Sequence, residues 1–300
     1  MGLGHLARCL PLAKRFQMAG AQPYFAGNYS ELAISLLKHR QFSYNQKTES
    51  DFFDHLKKFP VLVTDSYLIE DSFSDKIPEE VYWIAFDDFS EFKYPKANEV
   101  INFRINAENL YDYDSKHQSL GVSYFFVDRM WDKLKTQTHT PSQYIKKIFA
   151  CFGAASLATQ ADNIITELAE FFPEAKLIYL SDSTKKFPEN VCTQNLMPNF
   201  YNEILHSDLV VCAGGRMKYE ACYSGYATAS YSLNDGQLQD SINFDKHSMI
   251  YNLNNPRDQN FFNSIADKKT RHQKSEKCRE IFSGSDELQN ELIQRVVSLF

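Results

Sequence analysis

Residues 208–225 read DLVVCAGGRMKYEACYSG. Leu209 to Ala213 form an apolar run of strand length, Gly214 and Gly215 interrupt it, and the helical pattern that follows closes at Gly225. A strand feeding a helix through glycines is the repeating unit of an open parallel sheet, whose ligands bind beyond the carboxyl ends of the strands. Backbone N–H groups of such a turn can approach an anion closely, and the helix aims its positive end at the same place. A pyrophosphate suits that position, and Glu220, about one turn into the helix, is placed for the hydroxyls of a ribose. The same two glycines also serve simply to close a strand–helix connection.

Outward from this stretch the alternation repeats. On its amino-terminal side KIFACFG is a strand ending at Gly153, residues 157–172 are a helix with a continuous apolar stripe, and KLIYLS is the next strand. FYNEILHS is a short helix, ATASYS is strand-like, and residues 286–300 put Leu288, Leu292, Val296 and Leu299 on one helical face. Earlier in the chain AQPYFAG, VLVTD, VYWIAFDD and EVINF read as strands and residues 31–40 as an amphipathic helix. VLVTD, uninterrupted and ending in an acid, has the composition of a strand buried on both faces. Between the two series, residues 131–146 turn polar around Pro141 without a clear core period. The expected class is α/β, with Rossmann-like domains at 1–136 and 147–300 and a linker at 137–146.

Composition narrows the function. The chain has 300 residues, a formal net charge of −6, and no long basic run, which argues against a nucleic-acid partner. No apolar stretch is long enough to span a bilayer and no signal-peptide core opens the chain. The six cysteines are scattered, with no C-x-x-C pair, and read as reduced thiols of a cytoplasmic protein. No H-x-x-x-H, H-E-x-x-H or spaced acidic cluster predicts a bound metal, and nothing predicts a cofactor.

The chain opens MGLGHLARCL. Leu6, Cys9, Leu10, Leu12, Ala13 and Phe16 follow a helical period, so Gly2 and Gly4 read as a tight loop with His5 in the first helical turn. A helix N-terminus disfavours the imidazolium, which leaves His5 fit to accept a proton as a general base. Such a loop ordinarily follows a strand, and here none precedes it. Other candidates lie at strand ends: Asp65 with Tyr67 after VLVTD, Asp87 with Asp88 after VYWIAF, and Asn234 after ATASYS. The Asp87–Asp88 pair suits substrate hydroxyls or the orientation of a histidine, and equally the capping of a strand and its turn.

These residues carry a resemblance. GLGHLARCLPLA resembles the G-x-G-H-x-x-R-C-L-x-L-A opening of the UDP-sugar hydrolases of the pseudaminic acid pathway, whose relatives include SpsG-like glycosyltransferases. VTDSY, IAFDDF and FACFGAAS are similar to shorter motifs of that family, and DLVVCAGGRMKYEACYSG to its A-G-G-x-T-x-x-E-x-x-x-x-G helix. The resemblance implies two Rossmann-like domains facing a cleft, the B-type glycosyltransferase fold. It also implies hydrolysis of a UDP-linked 2,4-diacetamido-2,4,6-trideoxy sugar to UDP and free sugar. His5 is then the base that activates water at the anomeric carbon, and Gly4, Arg8, Asp65, Tyr67, Asp88 and Asn234 are the candidate substrate contacts. Gly153, Gly214, Gly215, Arg216 and Glu220 are the nucleotide contacts, with Gly214 and Gly215 at the diphosphate and Glu220 at the ribose.

Four departures stand out. The strand that opens family members is absent, as though the start were placed too late or the gene truncated, which would leave sheet edges exposed. Gly153-Ala154-Ala155 stands where the family has F-G-G, Arg216-Met217-Lys218 replaces small hydroxyl residues, and Asp235-Gly236 follows Asn234. The leading expectation is a nucleotide-sugar hydrolase of nonulosonic acid biosynthesis acting on a UDP-sugar. The alternatives are a glycosyltransferase on the same fold and an inactive nucleotide-sugar-binding remnant. The oligomeric state is open.

Overall fold

A computed structural model of the protein describes residues 3–46, 49–137, 141–153, 158–195 and 200–300. Gly2, Ala154, Ala155 and the linker residues 138–140 lie outside the described residues. Contacts divide the chain into two units, one formed by Met1–Asp128 with Ser283–Phe300 and the other by Arg129–Phe282.

The first unit begins with α1 (Leu3–Met18), β1 (Tyr24–Gly27), α2 (Glu31–His39), β2 (Ser43–Gln46), α3 (Glu49–Leu56) and β3 (Val61–Asp65). It continues with α4 (Asp71–Ser74), β4 (Tyr82–Phe86), β5 (Glu99–Asn102), α5 (Ala107–Leu110) and β6 (His117–Leu120). All its strand pairs are parallel, but they form two separate sheets, β1–β2 and β3–β4–β5–β6. Two described clusters of the core follow these sheets. Leu6, Leu10, Ala33, Leu37 and Phe42 cluster around α1, α2 and the two-stranded sheet, and Leu62, Trp83, Ala85 and Val100 centre a second cluster on the four-stranded one. Strand β4 is buried throughout, as its apolar run predicts. Strand β3 is not: Leu62 and Thr64 are buried while Val61, Val63 and Asp65 are only partly covered. The reason is topological, since β3 pairs with β4 on one side and with no described strand on the other.

The second unit holds α6 (Arg129–Thr136), β7 (Lys147–Cys151), α7 (Ala158–Phe171), β8 (Lys176–Leu180), β9 (Val191–Gln194), α8 (Tyr201–Ile204) and β10 (Leu209–Ala213). After these come α9 (Arg216–Tyr223), β11 (Thr228–Tyr231), α10 (Asp235–Lys246), β12 (Ile250–Asn252), α11 (Gln259–Ala266) and α12 (Lys268–Ile281). Its six strands make one parallel sheet in the order β12–β11–β10–β7–β8–β9, with β7 in the middle and Ile148, Phe149 and Ala150 fully buried. One apolar cluster runs from Ile145 to Ile265 through this sheet and the helices on it. The two units are therefore both of the α/β, Rossmann-like class.

The division differs from boundaries drawn at 136 and 147, for two reasons. Residues 129–136 form the helix α6, whose Trp131 and Leu134 are buried; Trp131 packs edge-on against Tyr201, and Asp132 accepts from the Tyr223 hydroxyl at 2.7 Å. Only two apolar side chains anchor that helix, too few to show as a period. The last helix, α13 (Ser285–Val297), belongs to the first unit: Gln289 donates to the Ser123 carbonyl at 2.8 Å and Arg295 pairs with the buried Glu99 at 2.5 Å. On α13, Leu292 and Val296 are buried as the helical face predicts, whereas Leu288 is exposed and Leu299, also exposed, lies beyond the end of the helix.

Candidate functional site

In the first unit the chemistry gathers at the carboxyl ends of β3 and β4. The register pairs Asp65 with Phe86, so the residues two positions on, Tyr67 and Asp88, come alongside each other. The first turn of α1 meets them there. His5 Nδ1 lies 2.6 Å from Asp65 Oδ1, and the His5 side chain is 24% exposed against 3% for Asp65. Arg8, one turn further along α1, bonds both Asp65 oxygens through Nε and Nη2 and places Nη1 2.8 Å from each oxygen of Asp88. The Tyr67 hydroxyl donates to Asp88 Oδ2 at 2.6 Å, and its ring stands edge-on to His5 with centroids 4.8 Å apart.

The charges explain the protonation pattern. Burial pushes the Asp65 carboxyl up, but the hydrogen bonds from His5 and Arg8 and the Arg8 charge outweigh it and hold the group below the usual carboxylate range. Burial likewise opposes the Arg8 charge, and its two carboxylate partners reverse that and raise it. An ionised Asp65 can only accept, so the hydrogen-bond network assigns the imidazole hydrogen to Nδ1 and leaves the Nε2 lone pair to take a proton. A positive charge formed on the ring would then lie against a carboxylate. Burial first, and the Asp88 charge second, raise Tyr67, which keeps its hydroxyl hydrogen and acts as a donor rather than a base.

Several expected roles change. The histidine is oriented by Asp65, not by the Asp87–Asp88 pair. Asp87 instead closes the turn after β4, accepting from the backbone of Phe89 and Ser90 and from the Tyr113 hydroxyl at 2.7 Å; Ser90 has φ of 57°. Arg8 is an internal clasp: its nitrogens are taken up by two carboxylates, and the side chain is 9% exposed. Gly4 sits inside the first turn of α1 rather than in a loop, and a Cβ built there meets nothing within 4 Å. The pairing of residues 60 positions apart, His5 and Asp65, had no local signal beyond an acid at a strand end.

In the second unit Gly153 and Gly214 follow the adjacent central strands β7 and β10, whose register pairs Cys151 with Cys212. Gly153 has φ of +78°, a left-handed conformation that favours glycine. Gly215 is the N-cap of α9 and no side chain caps that end. Arg216, the first residue of the helix, donates from Nε to Glu220 Oε1 at 2.7 Å, so the expected phosphate and ribose partners are paired with each other. Gly214 has a packing reason to be glycine: a Cβ there would lie 2.6 Å from the Ser232 hydroxyl and 3.1 Å from that of Ser241. Gly215 is roomier, its Cβ meeting only Gln237 Nε2 at 3.6 Å. Asn234 caps α10, accepting from the Gln237 N–H at 2.9 Å, which accounts for an asparagine at this strand end without a ligand. Lys218, which stands where a small residue was expected, is fully buried, with Nζ 2.7 Å from Asp240 and Tyr219 donating to the same carboxylate at 2.8 Å. The sequence reading missed this pair, since its partners lie 22 residues apart on different helices.

No protein-family model matches the sequence, and no curated protein does. The fold has clear counterparts among solved structures. Spinosyn forosaminyltransferase SpnP aligns with a TM-score of 0.70 at 11% identity over 99% of this chain and 96% of its own. MurG of Acinetobacter baumannii aligns at 0.65 and 14% over 97% and 96%. Phytolacca americana UGT2, solved with UDP-2-fluoro-glucose and pterostilbene, aligns at 0.69 and 9% over 98% and 97%. At these identities the likeness establishes the fold alone: the chain has the B-type glycosyltransferase fold. Among the described residues no helix is long and apolar enough to cross a membrane.

Proposed function

We propose that the protein transfers a glycosyl group from a nucleoside diphosphate sugar to an acceptor hydroxyl, with His5 as the general base. The observation that carries this is the Asp65–His5 pair at 2.6 Å, which fixes the tautomer and leaves Nε2 to receive a proton. His5 Nε2 takes the acceptor's hydroxyl proton as that oxygen attacks the anomeric carbon. The bond from that carbon to the diphosphate oxygen breaks, and the leaving nucleotide keeps the electron pair. A single displacement of this kind inverts the anomeric centre. Asp65 holds the imidazolium, and Tyr67 and Gly4 flank the sugar. Asp88, and Arg8 through it, position these groups. Gly153, Gly214, Gly215 and the N-terminus of α9 receive the diphosphate, where the leaving group gains charge. Arg216 and Glu220 serve phosphate and ribose once their own pair opens. Asn234 keeps α10 in place beside them.

SpnP is named as a forosaminyltransferase and another aligned structure as the glycotransferase of kitacinnamycin, which supports an acceptor hydroxyl as nucleophile. A second reading, in which water takes the acceptor's place and the donor is a UDP-linked 2,4-diacetamido-2,4,6-trideoxy sugar, is supported by the G-L-G-H-L-A-R-C-L opening. The test is UDP release from UDP-2,4-diacetamido-2,4,6-trideoxy-β-L-altrose, with and without sugar and polyprenol acceptors, for wild type and His5→Asn. Release that needs an acceptor and His5 supports the transferase. Release that needs His5 alone turns the reading to hydrolysis. A folded protein that binds UDP and never releases it from any donor would overturn both and leave a nucleotide-sugar-binding protein.

A further inference from the structure

The two units repeat one topology with one difference. In the second, β7 leads through α7 to β8, and the chain then returns past β9 to β10, so that β7 lies between β8 and β10 and bonds to both. In the first, α1 leads to β1 and the chain returns past β2 to β3, yet no described strand lies between β1 and β3. The two facing edges line a common cavity of about 1020 Å³, whose wall includes Tyr24–Gly27, Val61–Asp65, the apolar side chains of α1, and Phe52, Phe73 and Val296.

Each edge is less covered than its counterpart in the second unit. All four residues of β1 are only half-buried, whereas β8, its counterpart, is buried at four of five positions. Residues of β3 alternate between covered and partly covered, whereas β10 is buried at four of five. Parallel strands with open edges inside a unit expose rows of unpaired N–H and C=O groups, which natural sheets avoid.

We infer that this slot is the seat of one further parallel strand, and that its occupant is polypeptide joined directly to the amino end of Met1. Direction and continuity select that occupant. A strand running parallel to β3 through the slot would emerge beside Asp65, and the first turn of α1 is already there, held by the 2.6 Å contact from His5. The unit so completed would be strand, α1, β1, the crossover that the second unit builds from β7, α7 and β8. Its length is about that of β3, five residues, and both its faces meet apolar side chains, so it is rich in valine, isoleucine and leucine. The inference concerns the fold of the first unit and holds whatever reaction the site performs. It also bears on the base, because the strand would anchor the segment that presents His5.

The test compares three proteins by hydrogen–deuterium exchange: residues 1–300, the same chain with a lysine and five alternating valine and isoleucine residues ahead of Met1, and a control extension carrying proline at its second and fourth positions. The expected result is that the valine–isoleucine extension slows exchange at Tyr24–Gly27 and Val61–Asp65 by roughly tenfold or more and raises the melting temperature, and that the proline version does neither. Where the extended chain does not fold, the same segment is added to residues 1–300 as a free peptide, and selective protection of those two strands by the proline-free peptide is the supporting outcome. Equal exchange with both segments would overturn the inference. So would full protection of the two edges in the unextended monomer, or protection that appears only as residues 1–300 self-associate, which would make a second copy the occupant.

Discussion

The sheet of the second unit is continuous across its middle strand, and that of the first is parted at the corresponding place. The consequence is visible in the cores. Ile148 to Ala150 on β7 are fully buried, whereas in the first unit one described cluster gathers at β1 and β2 and another at β3, β4 and β5. A central strand is the only element of a doubly wound sheet whose two edges and two faces are all covered. Removing it therefore halves the sheet, while losing an edge strand merely shortens it. The sites differ in parallel. That of the first unit is a lattice of charges locked across long sequence separations, and that of the second is backbone, built from glycines and a helix end.

Hydrogen exchange gives the largest contrast. Amides of β7 and β10 should exchange at least about a thousandfold more slowly than those of β1 and β3, because the first pair opens only with its whole unit and the second is paired on one edge. Equal rates would break the comparison. Next is Arg8→Met, which strands Asp65 and Asp88 without their counter-charge and should cost about 3–5 kcal/mol, seen as a fall in the denaturation midpoint of the first unit alone. A midpoint unchanged by that substitution would mean that the clasp contributes nothing.

Asp65 also sets a pH dependence. Its carboxyl is held low in the folded chain, so its contribution to stability is fully present above the unfolded value of about 3.9 and is lost as pH falls through the lower folded one. Acid titration of wild type and Asp65→Asn, followed by circular dichroism, should show a steeper loss below about pH 4 in the wild type. Parallel curves would sink the assignment.

Gly214→Ala should destabilise the second unit by about 1–3 kcal/mol, since the Ser232 and Ser241 hydroxyls occupy the space a methyl would need. Gly4→Ala is the smallest and sharpest case. Nothing stands within 4 Å of a Cβ there, so helix propensity alone predicts a gain of up to about 1 kcal/mol in stability. A drop in donor affinity or turnover in that more stable variant would place a ligand against the first turn of α1. Unchanged kinetics would remove Gly4 from the site.

Much of the fold was legible because its signals are local. VYWIAF is apolar at every position and becomes the fully buried β4; DLVVCAGG becomes β10 and the turn into α9. What escaped was short or polar. Residues 129–136 form a helix held by two apolar side chains, and β2, SYNQ, is a strand because β1 offers it an edge. In the site, the residue types and strand ends were readable but their partnerships were not. Arg8 and Glu220 looked like ligand contacts, and each turned out to meet a charged neighbour in the chain, at Asp88 and at Arg216. Asn234 proved to cap a helix and Lys218 to hold one against another.

By itself the sequence determined the class of fold, the glycine turn from β10 into α9 and the position of His5 at a helix start, because periodicity and turn chemistry act over a few residues. Only the tertiary structure decided which carboxylate turns the histidine, that Arg8 and Lys218 face inward, and that β1 and β3 line a common cavity with no described strand between them. Those outcomes depend on contacts across tens of residues, and a side chain's role there is set by which charges and edges folding brings beside it.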